Sequence, residues 1–359
     1  MLSTTLASTL GQPIFLIPAV IAGIAIILFA LSRTTALWAI IRNTFLQTIR
    51  QPLFTILVAL LYVLLILGFM LSNWTISPSS EHQDSDQRLM INVSLSTLMT
   101  MGLLVAVFSA SSVLSREIDD KTALTVISKP IRKGTFVLGK FLGVAGAVTI
   151  ACYLGTLVML MLIRHRVLTN ASDPTDWPVI VLGGSAIFAG FALAMLGNFL
   201  FGWTFTAAAT WLQIICMTVA MAVISVIGKG WQPVPFGQGI DPATLKATYA
   251  LLLVIWLLTA VAIAASTRLG QIGTLMVCIG FAIAGGYHQL FFSAWAGGNT
   301  AVKTLGLVMP DTQYFLLMES ILRDAVIHPA YLFVLTGYAV LLIGAVLALG
   351  IGLFQTRQL

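Results

Sequence analysis

Residues 53–72 read LFTILVALLYVLLILGFMLS, a run without one charged side chain. About 20 apolar residues are enough to cross the hydrocarbon core of a bilayer as a helix. In lipid, backbone amides and carbonyls must be satisfied within the segment, which leaves helices or closed barrels as spanning structures. Further runs of this kind lie at about 14–31, 89–114, 135–163, 178–200, 205–228, 248–266, 272–293 and 331–354. The sequence therefore predicts an all-α polytopic transmembrane helix bundle of about nine spans, within a range of six to nine. The pair 178–200 and 205–228 is joined only by Phe201-Gly202-Trp203-Thr204. That link fits two full spans with a tight turn or a re-entrant hairpin.

Composition agrees. The chain has 359 residues, of which 59% are hydrophobic and 8% charged, whereas a soluble domain carries about 25% charged residues. The net charge of +6 does not indicate nucleic acid, because the bases sit in short gaps between apolar runs. Cys152, Cys216 and Cys278 all fall inside apolar runs, with no metal or disulfide spacing. No Lys or Arg precedes the first run, which argues against a cleaved signal peptide.

The bases set an orientation. With the amino terminus outside, eleven of the 18 Lys and Arg residues face inward, including Arg42, Arg50, the 116–140 cluster and Arg268. Excess basic residues mark the cytoplasmic side. The acids divide the other way: only Glu117, Asp119 and Asp120 lie inside.

Segment 34–50, TTALWAIIRNTFLQTIR, is striped rather than uniformly apolar. Leu37, Trp38, Ile41, Phe45 and Ile49 share one helical face, while Asn43, Gln47 and Arg50 lie opposite and Arg42 adds a charge. This pattern predicts an amphipathic helix on the inner membrane surface, followed by Pro52, which suits the start of a new helix. Two ladders of small residues, Gly139-Gly143-Ala147-Ala151-Gly155 and Ala186-Gly190-Ala194-Asn198-Gly202, predict close helix packing within the subunit, with a dimer face as the alternative.

Several chemistries find no support. There is no HExxH, CxxC or GxSxG motif. Gly134–Phe141 matches a phosphate-binding loop except at its last position, where Phe141 replaces the Ser or Thr that holds magnesium. No ATPase is expected in this chain. The middle third of each span lacks Asp, Glu, Lys and Arg, which argues against a proton-coupled carrier. His82, His165, His288 and His328 map to the outer side or outer span ends and read as scattered rather than metal-binding.

The inner loop between the third and fourth runs is the specific feature. It reads SREIDDKTALTVISKPIRKGTFVLGKFLG over 115–143. A short polar helix over roughly 116–127 is expected, capped by Ser115 and favoured by Glu117, Asp119 and Asp120 near its positive end, with Pro130 stopping it. A compact charged knob would then project from the inner face.

Glu117, Leu124–Ile127, Ser128-Lys129-Pro130-Ile131 and Phe136–Gly143 resemble the permease subunits of type-2 ATP-binding-cassette (ABC) exporters. They are similar to the branch with copper-enzyme-maturation and gliding-motility permeases. Ser266-Thr267-Arg268-Leu269-Gly270-Gln271 and Val308-Met309-Pro310-Asp311-Thr312-Gln313-Tyr314-Phe315 match in the expected order. The run at 14–31 and the extra pair within 178–228 depart from the usual six spans.

The resemblance implies a transport permease, with residues 1–33 as an extra span, 34–52 as a cytoplasmic interfacial helix and 53–359 as the permease domain with coupling loop 115–134. It implies contact with a separate cytoplasmic ABC ATPase through Arg116, Glu117, Ile118, Asp120, Leu124, Ile127, Lys129 and Pro130. That ATPase would hold the ATP and magnesium. It also implies a second permease chain, as a homo- or heterodimer, in the plasma or inner membrane of a bacterium. A membrane scaffold that recruits a cytoplasmic protein without transport is the competing class. An apolar interior leans toward lipid-like or amphipathic cargo.

Overall fold

The structure is a computed structural model and describes residues 36–72, 83–119, 133–166, 175–237, 241–294, 310–322 and 325–355. The expected first span, 14–31, lies outside the described residues. The helices are α1 (Ala36–Ile49), α2 (Pro52–Ser72), α3 (Gln83–Asp119), α4 (Lys133–His165), α5 (Gly184–Phe201), α6 (Phe205–Ile224), α7 (Pro242–Ser266), α8 (Gln271–Gly286), α9 (Met318–Leu322) and α10 (Pro329–Gln355). A π-helical turn, Val179–Gly183, leads directly into α5. Among the described residues the only β pairing is an isolated bridge between Ile227 and Pro233.

Seven helical segments are long and apolar enough to cross a membrane, and they coincide with seven of the expected runs. The fold is a polytopic transmembrane helix bundle. The eighth described run, expected over 272–293, is interrupted rather than continuous: α8 ends at Gly286 and a π-helical turn, Gln289–Ala294, follows it. The end of the α8 run is set by the chain that docks on it. Thr312 donates its backbone N–H to the Gly285 carbonyl at 3.1 Å, and Gln313 Nε2 donates to the Gly286 carbonyl at 2.8 Å. A Cβ on Gly285 would lie 2.8 Å from Thr312 Oγ1, so this approach requires glycine.

The short link at 201–204 resolves into a tight turn between two helices of spanning length. Gly202 takes φ 67°, a left-handed conformation that glycine adopts without a Cβ penalty. Its N–H bonds the Asn198 carbonyl at 3.1 Å, and the Trp203 N–H bonds the Gly197 carbonyl at 3.3 Å. Midway along α6, Gln213 donates to the Ile187 carbonyl of α5 at 2.8 Å and ties the pair together.

Burial orders the bundle. In α7, 78% of the apolar window is buried inside the protein, and in α4 67%, against 28% in α10 and in the helix that includes α5. Helix α7 is therefore the central post, packed by α3, α4, α8 and α10. It starts cleanly because Asp241 caps it, accepting from the N–H groups of Ala243 and Thr244 at 3.0 Å each, with Pro242 at its first position. Helices α5 and α10 keep apolar outer faces; Phe188, Phe199, Phe333 and Leu341 are all largely exposed. In water such faces would aggregate, whereas in a bilayer they meet lipid or another helix.

Candidate coupling face at the inner end

The end of the bundle that holds Arg42, Arg50 and Arg268 is called inner below. Side-chain bonds respect the two ends predicted from the sequence. At the inner end Thr206 donates to the Arg50 carbonyl at 2.8 Å, and Arg268 Nε donates to the Leu353 carbonyl at 3.0 Å. At the outer end Gln87 reaches the Ile163 carbonyl at 2.9 Å and Lys246 reaches the Ile327 carbonyl at 2.8 Å. None of these bonds mixes residues assigned to opposite ends.

Helix α1 lies against α4 along the first glycine ladder. A Cβ on Gly139 would fall 2.7 Å from Ile40 Cγ2, and one on Gly143 would fall 2.6 Å from Thr44 Cβ and 2.9 Å from the Ile41 carbonyl oxygen. The two backbones approach at this point because nothing but hydrogen separates them. The ladder serves packing within the subunit. Its partner face differs from the apolar stripe read from the sequence. Thr44, Thr48 and Ile49 are fully buried, while Trp38, Ile41, Phe45 and Gln47 are only half-buried. Arg42, Asn43 and Arg50 are exposed. Thr44 lies against Gly143 and Ile40 against Gly139, and Thr48 meets its own polarity by donating to the Thr44 carbonyl at 2.9 Å. Phe45 instead lies over Gly146 and faces Trp211, with ring centroids 6.3 Å apart.

The expected separate helix beginning at 116 is not what forms. Helix α3 runs unbroken from Gln83 through Asp119, so Ser115 lies within a helix rather than before one. No Gly or Pro between 103 and 119 interrupts it. Arg116, Glu117 and Ile118 therefore extend a spanning helix. Glu117 and Asp119 lie far from that helix's N-terminus at Gln83, where acids gain from the macrodipole. Asp120, Leu124, Ile127, Lys129 and Pro130 lie outside the described residues.

Both ends of the loop are anchored. On the α3 side, Ser112 Oγ donates to Gln51 Oε1 at 2.7 Å, tying the helix to the elbow between α1 and α2. On the α4 side, Lys133 Nζ donates to the Gln355 carbonyl at 3.4 Å and lies 5.9 Å from the Phe354 ring centroid. Phe136 stacks on Phe354 with centroids 5.8 Å apart. An apolar groove of about 790 Å3 opens here between α1, α4 and α10, lined by Leu37, Leu138, Leu347 and Ile351 among others. The sequence reading missed Gln51, Ser112 and Phe354; an uncharged polar residue near a span end was the one available signal for the first two.

The phosphate-loop lookalike is helical from Lys133 onward. Lys140 is buried and sits 5.4 Å from the Phe136 ring centroid.

A family profile described as "ABC-2 family transporter protein" matches residues 38–359. The chain belongs to the ABC-2 transporter family. The match begins inside α1 and takes in every described span. No match is found among curated proteins. An ABC-2 protein of this kind is the transmembrane permease component of an ABC transporter, a multi-pass membrane protein that is not itself the catalytic subunit and partners an ABC ATPase.

Proposed function

We propose that this ABC-2 permease is an exporter subunit whose inner segment 115–134 receives the stroke of a separate ATPase that carries the ATP and magnesium. Two permease chains pair, in the plasma or inner membrane of a bacterium, with the amino terminus outside and the carboxyl terminus inside. The observation that carries this reading is the continuity of α3. Its 37 residues and the 33 of α4 measure about 55 and 50 Å at about 1.5 Å per residue. The hydrocarbon core is about 30 Å thick. A push on 115–134 is therefore delivered along two rigid rods that form much of the buried core. Arg116, Glu117, Ile118, Asp120, Leu124, Ile127, Lys129 and Pro130 are the contact set, and α1, with Trp38, Ile41, Arg42, Phe45 and Arg50, braces α4 beside it. Rigid-body transfer of this sort is a recognised route to switching.

Glu117 is the residue proposed to transmit. With no helix-end gain to explain it, its charge finds its use in a charge-assisted contact, worth about 1.5–3 kcal/mol when desolvated. The test is ATP hydrolysis and transport by the reconstituted complex carrying Glu117→Gln, at matched complex yield. Activity is expected to fall several-fold while assembly persists. Unchanged hydrolysis would remove Glu117 from the mechanism, and a complex that docks an ATPase but moves nothing would favour the scaffold.

A further inference from the structure

The groove of about 790 Å3 at the inner end is lined, among the described residues, by α1, α4 and α10 alone. We propose that it is the docking site of the apolar run 14–31 of the same chain, which packs there as a helix and holds α1 against the bundle. That run precedes the family match, which begins at residue 38, and the proposal does not rest on the ATPase reading above.

The groove is built to take apolar side chains. Leu37 of α1, Leu138 of α4 and Leu347, Ala348 and Ile351 of α10 line it. Leu138 and Ala348 are exposed, and Leu37 and Ile351 are half-buried. From Leu347 to Gln355 the α10 wall runs about 12 Å. The rim at its inner end is polar, where Lys133 Nζ donates to the Gln355 carbonyl. An open groove leaves its lining atoms without neighbours on one side. In lipid, helices associate largely through such packing, because the tails are as apolar as the side chains.

The chain itself points to the occupant. Three stretches outside the described residues adjoin the lining elements: 1–35 leads into α1, 120–132 into α4, and 356–359 follows α10. Segment 120–132 carries Asp120, Lys121, Lys129 and Arg132, and 356–359 reads TRQL with Arg357. Charges of this kind are expensive in an apolar setting. The run 14–31, IFLIPAVIAGIAIILFAL, has none. As a helix it measures about 27 Å, close to the ~30 Å hydrocarbon core. The link from Leu31 to Ala36 reaches at most about 18 Å, and the next residue, Leu37, is already part of the groove wall. The inner end of the run is therefore held beside the groove, and Ser32-Arg33-Thr34-Thr35 supplies a polar exit. So short a link gives the run an effective concentration that a second copy of the chain cannot match. Leu37 is also seated against α4, since a Cβ on Gly139 would lie 3.4 Å from Leu37 Cδ1. A helix in the groove would thus press on α1 and α4 together.

The test identifies what touches the groove. Leu138→p-benzoylphenylalanine places a photoreactive side chain on the α4 wall of the full-length chain in native membranes. Ile351→p-benzoylphenylalanine places a second probe on the α10 wall. Phe199→p-benzoylphenylalanine, at a site on α5 that is 84% exposed, is the control. After illumination the monomer and dimer bands are separated under denaturing conditions, and the adducts are located by peptide mass spectrometry. Both groove probes should join to peptides from 14–31 in the monomer band, and the control should not. Ala348→Trp, which fills the groove from its α10 wall, should cut the Leu138 adduct at least fivefold. Adducts to lipid alone, to 120–132 or 356–359, or to 14–31 of another copy in the dimer band would overturn the proposal, as would equal labelling of 14–31 from the control site. If Ala348→Trp fails to accumulate, the two groove probes in the otherwise wild-type chain decide the matter by themselves.

Discussion

Arg164 and Asp176 form an ion pair inside the protein, Nε to Oδ2 3.3 Å, with 7% and 0% of their side chains exposed. It joins the outer end of α4 to the start of the π turn, across a gap in which sequence separation gave no hint of contact. Arg164 also donates to the Ile227 carbonyl, and Asp176 Oδ1 accepts the Val179 N–H at 3.3 Å. Arg164 Nη1 is buried without a hydrogen-bond partner among the described residues.

Breaking this pair from one side leaves a buried charge uncompensated, which costs about 3–5 kcal/mol. Asp176→Ala should lower the thermal unfolding midpoint of the purified protein markedly, and Arg164→Met should do the same. The double variant Arg164→Met/Asp176→Leu should recover most of the loss, because apolar replacement of a whole buried pair is often neutral. If the double variant is as unstable as the sum of the singles, the pair is not a coupled unit.

Gly143 faces backbone rather than a yielding side-chain tip. A methyl group there would lie 2.9 Å from the Ile41 carbonyl oxygen, so Gly143→Ala must push α1 off α4. Overpacking of this sort costs about 1–3 kcal/mol. Gly344→Ala, where a Cβ meets nothing within 4 Å, should be silent. A cysteine pair placed across α1 and α4 should crosslink in the wild-type background and fail with Gly143→Ala. Undiminished crosslinking would show that α1 is not seated as described.

Orientation can be read by labelling. On a background with Cys152, Cys216 and Cys278 replaced by alanine, Phe236→Cys should react with an impermeant thiol reagent in intact cells, since Phe236 is 77% exposed at the outer end. Ser128→Cys should react only after permeabilisation. The reverse pattern would invert the topology and remove 115–134 from contact with any cytoplasmic ATPase.

Sequence alone determined the seven described spanning helices. Runs of apolar residues as long as the bilayer is thick have one stable local solution, and each span satisfies its own backbone, so neighbours are not needed to specify it. Even the two glycine ladders could be read, since a small residue every fourth position leaves a flat face wherever it occurs. Tertiary structure decided which faces meet and where a helix stops. The most apolar stripe of α1 was the natural choice for burial, yet Ile40 meets Gly139 and Thr44 meets Gly143, while Trp38, Ile41 and Phe45 stay half-buried. Helix α8 breaks at Gly286, before the π-helical turn Gln289–Ala294, where Thr312 and Gln313, distant in sequence, bond its last carbonyls. Helix α3 continues past Ser115, since a possible cap is used only where something else ends the helix before it. The Arg164–Asp176 pair belongs with these. Two charges near span ends look like ordinary interfacial residues until packing removes the water around them, and only the packed fold can show that.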